Sequence, residues 1–449
     1  MNNGMKKVLA LALVAAMTLS ACGSTTEKPS AGTETPSTPS TPSAGTETPA
    51  APEANEDKYQ IKDLVMAKTA TRELETWNVL HSQRAEDGEN LIQLVDGLLE
   101  TDNLGKLAPG IAESWETTDG GKTWTFKIRE GVKWVDWQGN EMADCNAWDW
   151  ATGLEWILNY YKNDSANTSM PVEMIKGAQD YIDYTKNLSE EEAHALNGLA
   201  GSKFLEMVGI EIVDDLTIKY TCVTNKPYFD TLALYCCLYP MAPGMVDELT
   251  VPGVKAMENT SMWYNGGYLM TEFISGNSKR LEQNPTYWDT ESTRFNTVTV
   301  KMIESIEVGY QLYQNGEIDY IQLSEANLST ILSDTNHEFY DKLVENKPTK
   351  YSWQLYWNYN KMDENGNLDE NYNKAVANEN FRKSVFHGWD NVEWLKRHNT
   401  VNPLKCENSF YTMKGLCYTT DGRDYVDLVQ EELGLESVYN GETLIHYNA

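Results

Sequence analysis

From Gly23 to Asp57 the chain reads GSTTEKPSAGTETPSTPSTPSAGTETPAAPEANED, without one aromatic or large aliphatic side chain. Such a stretch has no apolar surface to offset the entropy of ordering, so no core can include it. Whatever folds must come from residues 58–449, enough for two or three domains at about 100–200 residues each. Proline alternating with serine and threonine makes a semi-extended spacer. SAGTETP recurs in it, at Ser30 and at Ser43, as duplicated spacer would.

Ahead of the spacer, Lys6 and Lys7 precede an uncharged run at 8–19. That run is too short for a membrane-spanning helix, which needs about 20 apolar residues. A basic start, an apolar middle and small residues before a cut predict an export signal. Its end, Leu19-Ser20-Ala21-Cys22, resembles the bacterial lipobox. The resemblance implies a signal peptide at 1–21, lipidation of Cys22 and a disordered spacer at 22–57. Lipid chains contribute about 0.8 kcal/mol per buried methylene, so two or three anchor stably. The expected location is the extracellular face of a bacterial cell membrane, anchored and not spanning. An ordinary secretory signal with an incidental cysteine is the other reading.

The chain carries 36 basic and 67 acidic side chains, a formal charge of −31. That balance excludes nucleic acid and anionic lipid surfaces as natural partners, since both call for basic patches. The 14 Trp and 25 Tyr outweigh 9 Phe, a bias toward rings with a polar handle. Such rings suit clefts for peptides or sugars, although core packing accounts for many.

No motif of a metalloprotease, serine hydrolase or phosphate-binding loop is present, and the six histidines are scattered. Neither an enzyme, a cofactor nor a metal site is predicted. The segment DENGNLD spaces Asp363, Asn365, Asn367 and Asp369 as oxygen ligands, but its glycine is misplaced for a calcium loop, so a polar surface turn is expected. Export permits disulfides, and Cys406 and Cys417, enclosing a short loop, are the expected pair. Cys236 and Cys237, inside LALYCCLYP, read as small core residues.

Period-two alternation from Trp124 to Ile128, after an Asp119-Gly120-Gly121 turn, predicts a hairpin arm. IEIVDDLTIKYTCV reads as strand, turn and strand. AWDWATGLEWIL predicts a helix burying a stripe of Trp150, Leu154, Ile157 and Leu158. Ser189 and Glu192 form a capping box that starts another. Strands and helices mix along the chain, which predicts an α/β body.

Several segments, in order, resemble one family. LVDGLLETDNLGKLAPGIAESWETTDGGKTWTFKIREGVKW is the strongest, followed by NAWDWATGLEWIL, NKPYFDTLALYCCLYP, YNGGYLMTEFISGNSKRLEQNPTYWD, YQNGEIDY and NFRKSVFHGWDN. Together they resemble the family 5 extracellular solute-binding proteins of ABC importers for oligopeptides, dipeptides and some nickel complexes. Ser384 and Asn391 depart from the family's alanine and arginine.

The resemblance implies a two-lobed α/β fold of the class II periplasmic-binding-protein type, with an extra inserted domain. By analogy, lobe I comprises 58–95 and 241–350, the extra domain 96–240, and lobe II starts at 351–449. The family's second lobe is longer and carries a Gly-Trp-x-x-Asp-Tyr element that nothing here matches, so an incomplete, truncated lobe II is expected. An apolar face would then lie uncovered. The implied function is capture of an oligopeptide or dipeptide between lobes for delivery to ABC permease subunits, by a monomer. Extended peptides held in this way are read through their main chain. The implied ligand-facing positions are Gln83 and Ala85, beside the peptide, and Tyr351, Tyr356 and Trp357 as pocket walls. A strand buried on both faces explains the last three equally well. Two other functions remain open: a sensing or adhesive surface lipoprotein on the same fold, and a secreted glycan-active enzyme.

Overall fold

The structure is a computed structural model describing residues 62–69, 73–102, 106–165, 167–344 and 354–397, with short pieces at 399, 403–406, 412, 417–419 and 422–432. Cys22, the signal, the spacer and Tyr351 lie outside the described residues.

Twelve strands are formed among these residues: β1 (Asp63–Thr69), β2 (Leu99–Thr101), β3 (Leu107–Pro109), β4 (Ala112–Glu116), β5 (Thr123–Ile128), β6 (Lys133–Val135), β7 (Glu141–Asp144), β8 (Ile210–Asp214), β9 (Thr217–Thr221), β10 (Tyr268–Ile274), β11 (Ser278–Gln283) and β12 (Thr297–Ile303). One four-stranded sheet has the order β1-β12-β11-β10 and another β4-β5-β9-β8; β2-β3 and β6-β7 are two-stranded ribbons. In the first sheet β1 lies parallel to β12, with Asp63 opposite Thr297 and Thr69 opposite Ile303. Its other pairings are antiparallel. The second sheet is antiparallel throughout.

The predicted hairpin arm is β4-β5. Trp124, Phe126 and Ile128 point into the core while Lys127 faces water, as alternation requires. The turn before β5 is fastened by Asp119, whose Oδ1 accepts from the amides of Lys122 and Thr123 at 2.9 and 2.8 Å. The strand-turn-strand reading of 210–221 is likewise met, with the Asp214 carboxylate accepting from Leu216 N at 2.9 Å.

The helix Ala147–Leu158 corrects an expectation. It buries Ala147 and every residue from Asp149 to Leu158, not a stripe, because other elements surround it. Gly153 admits the loop that leads into the helix Pro243–Lys255; a Cβ there would sit 2.5 Å from Tyr239 O. Its N-terminus closes in a capping box between Asn146 and Asp149. The capping box at Ser189 and Glu192 forms as predicted and starts the short helix Glu190–His194.

A single apolar core joins the two four-stranded sheets, through residues such as Leu64 and Val298 on one and Phe126 and Tyr220 on the other. The part after residue 354 adds little to it. Among its described residues, Val376 and Val426 are the buried apolar side chains. The helices Glu370–Ala377, Glu379–Gly388 and Asn391–Leu395 instead leave Phe381, Phe386, Trp389 and Trp394 exposed.

The DENGNLD segment is the expected polar turn. Asp363 Oδ1 accepts from the amides of Asn365 and Asn367, and Gly366 takes φ +79°. No metal-holding group of side chains occurs among the described residues. Cys237 is buried as predicted and Cys236 half-buried. The expected Cys406–Cys417 bridge is not made, and both are exposed free thiols. Each belongs to its own local turn: Cys406 ends Pro403–Cys406, its sulfur hydrogen-bonded by Asn399, and Cys417 O accepts from Tyr425 N.

Candidate functional site

A strap at 73–84 leads into the helix Ala85–Leu91; Gln83 lies on the strap and Ala85 opens the helix, both exposed. Local chemistry shapes it first. Asn78 Oδ1 accepts from Leu80 N at 3.1 Å and starts the single 3-10 turn Val79–His81. Arg84, in extended conformation, donates to Glu75 Oε2 at 2.7 Å. Asp87 accepts from Glu75 N at 2.8 Å, closing the strap on itself. Glu73 fixes its start, bonding Lys279 Nζ at 2.7 Å and Gly276 N at 2.8 Å on the β10–β11 hairpin.

The middle of the strap is held from elsewhere in the chain. Asn167 Nδ2 donates to Leu80 O at 3.2 Å, Trp156 Nε1 to His81 Nε2 at 3.0 Å, and the Cys236 thiol to Ser82 O at 3.1 Å. Three successive residues thus meet donors from three separate elements. The indole N–H can only donate, so His81 Nε2 is an acceptor and the ring is neutral. Burial favours that state, holding His81 down to about 4. Burial also raises the Cys236 thiol, which keeps it protonated and able to donate.

Asp96 ties together two of the quoted motifs. Asn265 Oδ1 accepts from Asp96 N at 2.9 Å, while Asp96 Oδ2 accepts from Tyr287 and Trp288. The Arg129 guanidinium, on the residue that follows β5, lies 4.3 Å over the Trp288 ring.

Of the remaining sequence-predicted positions, Tyr351 lies outside the described residues. Tyr356 is 81% exposed and lies in irregular backbone, not in a two-sided strand. Trp357 is half-buried, its ring edge-on to Phe381 at 5.8 Å. Sequence reading missed His81, Trp156, Asn167 and Cys236 as strap-holding residues. Asp96, Asn265, Tyr287 and Trp288 were legible only as members of motifs.

A profile of the bacterial extracellular solute-binding proteins, family 5 Middle, matches residues 106–402. The chain belongs to the family 5 bacterial extracellular solute-binding proteins. It is therefore a member of an extracytoplasmic solute-binding family, not of an enzyme family. The oligopeptide-binding protein SarA of Streptococcus gordonii is 26% identical over 368 residues, covering 80% of this chain and 52% of SarA. AmiA of Streptococcus pneumoniae is 28% identical over 253 residues, 55% of this chain and 35% of AmiA. The chain spans about half the length of the curated relatives it matches, or less. Among solved structures, the substrate-binding domain of a Bacillus anthracis oligopeptide ABC transporter superposes with TM-score 0.56 at 20% identity, over 84% of this chain and 68% of that one. Listeria monocytogenes OppA bound to peptide gives 0.55 at 17%, over 84% and 69%. The mixed α/β fold is thus of the OppA-type, class II periplasmic-binding-protein kind. No helix among the described residues is long and apolar enough to cross a membrane.

Proposed function

We propose that this solute-binding protein captures oligopeptides in a cleft between two lobes and presents them to an ABC permease. The observation that carries the reading is the family match over 106–402, within which the curated relatives are named oligopeptide-binding proteins. Lobe I comprises 58–95 and 241–350, a division supported by β1 pairing with β12 across the intervening chain. The extra domain at 96–240 owns the second sheet, whose strands all fall within it. Residues from 351 onward begin lobe II. Its aromatic and aliphatic exposure, Leu355 and Phe386 among others, marks a face suited to pack against further polypeptide. Gln83 on the strap and Ala85 at the start of the next helix, with Tyr351, Tyr356 and Trp357 from lobe II, face the ligand. Cys22 carries the lipid that holds the protein outside the membrane, and the spacer gives it reach.

A thermal-shift screen with millimolar short peptides, oligosaccharides and metal chelates tests the ligand. Binding to the native state alone raises the melting temperature. A rise with peptides supports the proposal; a rise with oligosaccharides or chelates only, or with none of the three, overturns it. The anchor is tested separately: Cys22→Ala abolishes incorporation of labelled fatty acid and releases the protein to the medium. Incorporation that survives the substitution removes Cys22 from the reading.

A further inference from the structure

The clamp's hydrogen bonds come in addition to core packing, in which Trp156 and Cys236 themselves take part. Leu80 is fully buried and Val79 nearly so, which already fixes the strap's depth. What the three donors add is direction. Asn167, Trp156 and Cys236 grip Leu80 O, the His81 ring and Ser82 O in succession, immediately before the exposed Gln83. The first and third donors are themselves connected, since Asn167 Nδ2 also lies 3.6 Å from Cys236 Sγ. Gly153 lets the helix bearing Trp156 approach the Tyr239 carbonyl, three residues beyond Cys236. The donors therefore form one jig on three elements of 147–240, aimed at one edge of the strap.

We infer that Trp156, Asn167 and Cys236 are positioning residues through which the 147–240 region sets the conformation of the ligand-facing strap. Calling the strap ligand-facing rests on the peptide-binding reading; the jig does not. A rigid strap meets a ligand without a further ordering cost, so its hold on Leu80–Ser82 sets affinity from a distance. Cys236 serves here as an inert donor. Its half-buried thiol must remain reduced, in a protein bearing an export signal, for the Ser82 bond to exist.

The test uses the full chain and hydrogen exchange. Asn167→Asp keeps the side chain's size but removes its donor; Cys236→Ala removes the thiol, and Cys236→Ser restores a donor. In wild type the amides of Leu80, His81 and Ser82 are bonded to Asn78 Oδ1, Asn78 O and Val79 O. Loss of one clamp bond is expected to speed their exchange about fivefold, with Ile157 and Leu158 unchanged and Cys236→Ser close to wild type. Exchange unchanged at 80–82, or raised equally throughout the protein, overturns the inference. Affinity for a mixed tetrapeptide pool is read alongside. Weakening in step with strap exchange supports both readings. Wild type that binds no tetrapeptide, with the exchange pattern intact, leaves the jig standing and counts against peptide capture.

Discussion

The Tyr287 hydroxyl donates to Asp96 Oδ2 at 2.9 Å, and the Trp288 indole reaches the same oxygen at 3.0 Å. Both bonds favour the carboxylate, yet burial outweighs them and, with the Asp289 charge adding, raises Asp96 to about 6. The folded chain therefore keeps a proton between pH 4 and 6 that the unfolded chain has released. Stability falls as pH rises through that window, by about 2 kcal/mol from this residue. Asp149, raised to about 7 by burial, acts in the same direction up to pH 7. Urea midpoints from pH 4 to 7.5 are expected to decline. Asp96→Asn, which keeps the acceptor oxygen, flattens the decline; an unchanged slope refutes the assignment.

Lys162 and Glu155 form an ion pair at 2.8 Å with side chains only 3% and 2% exposed. Glu155 also accepts from Tyr181 and Asn159, and Lys162 donates to Leu196 O. Lys162→Met leaves a buried carboxylate uncompensated and is expected to cost about 3–5 kcal/mol. Adding Glu155→Gln removes that charge while keeping an acceptor, so the double variant regains stability. Chemical denaturation of both variants checks the order.

Gly177 and Gly131 make a paired test of backbone strain, at φ +75° and +85°. A Cβ on Gly177 would lie 1.9 Å from Met207 O, whereas one on Gly131 meets nothing within 4 Å. Gly131→Ala is expected to cost about 1 kcal/mol for the left-handed backbone alone. Gly177→Ala must also move backbone and costs more than about 2 kcal/mol. Equal midpoints would contradict the contact.

Tyr356 stands 81% exposed, on the portion of the chain that also exposes Leu355 and Phe386. Tyr356→Ser is expected to change stability by less than about 0.5 kcal/mol. Combined with Phe386→Ser, it lowers binding of an apolar dye and slows aggregation. A large loss of stability would place Tyr356 in a packed site.

Legibility in the sequence followed range. The β4-β5 hairpin, the 210–221 hairpin and the Ser189 cap were readable because alternation, turn residues and capping partners lie within a few positions. The burial of the helix Ala147–Leu158 on every side was not, since a stripe of large apolar residues is the same in a surface helix and a central one. The strap was readable only through Gln83 and Ala85, which the resemblance supplied.

By itself the sequence determined where several strands and helices begin and which family the motifs belong to. Tertiary structure alone decided that Trp156, Asn167 and Cys236 converge on Leu80, His81 and Ser82. Apolar periodicity and capping act between near neighbours and leave a pattern in the string. Hydrogen bonds between residues about 75–155 positions apart leave none; they exist only once the packed core has brought donor and acceptor within 3 Å or so.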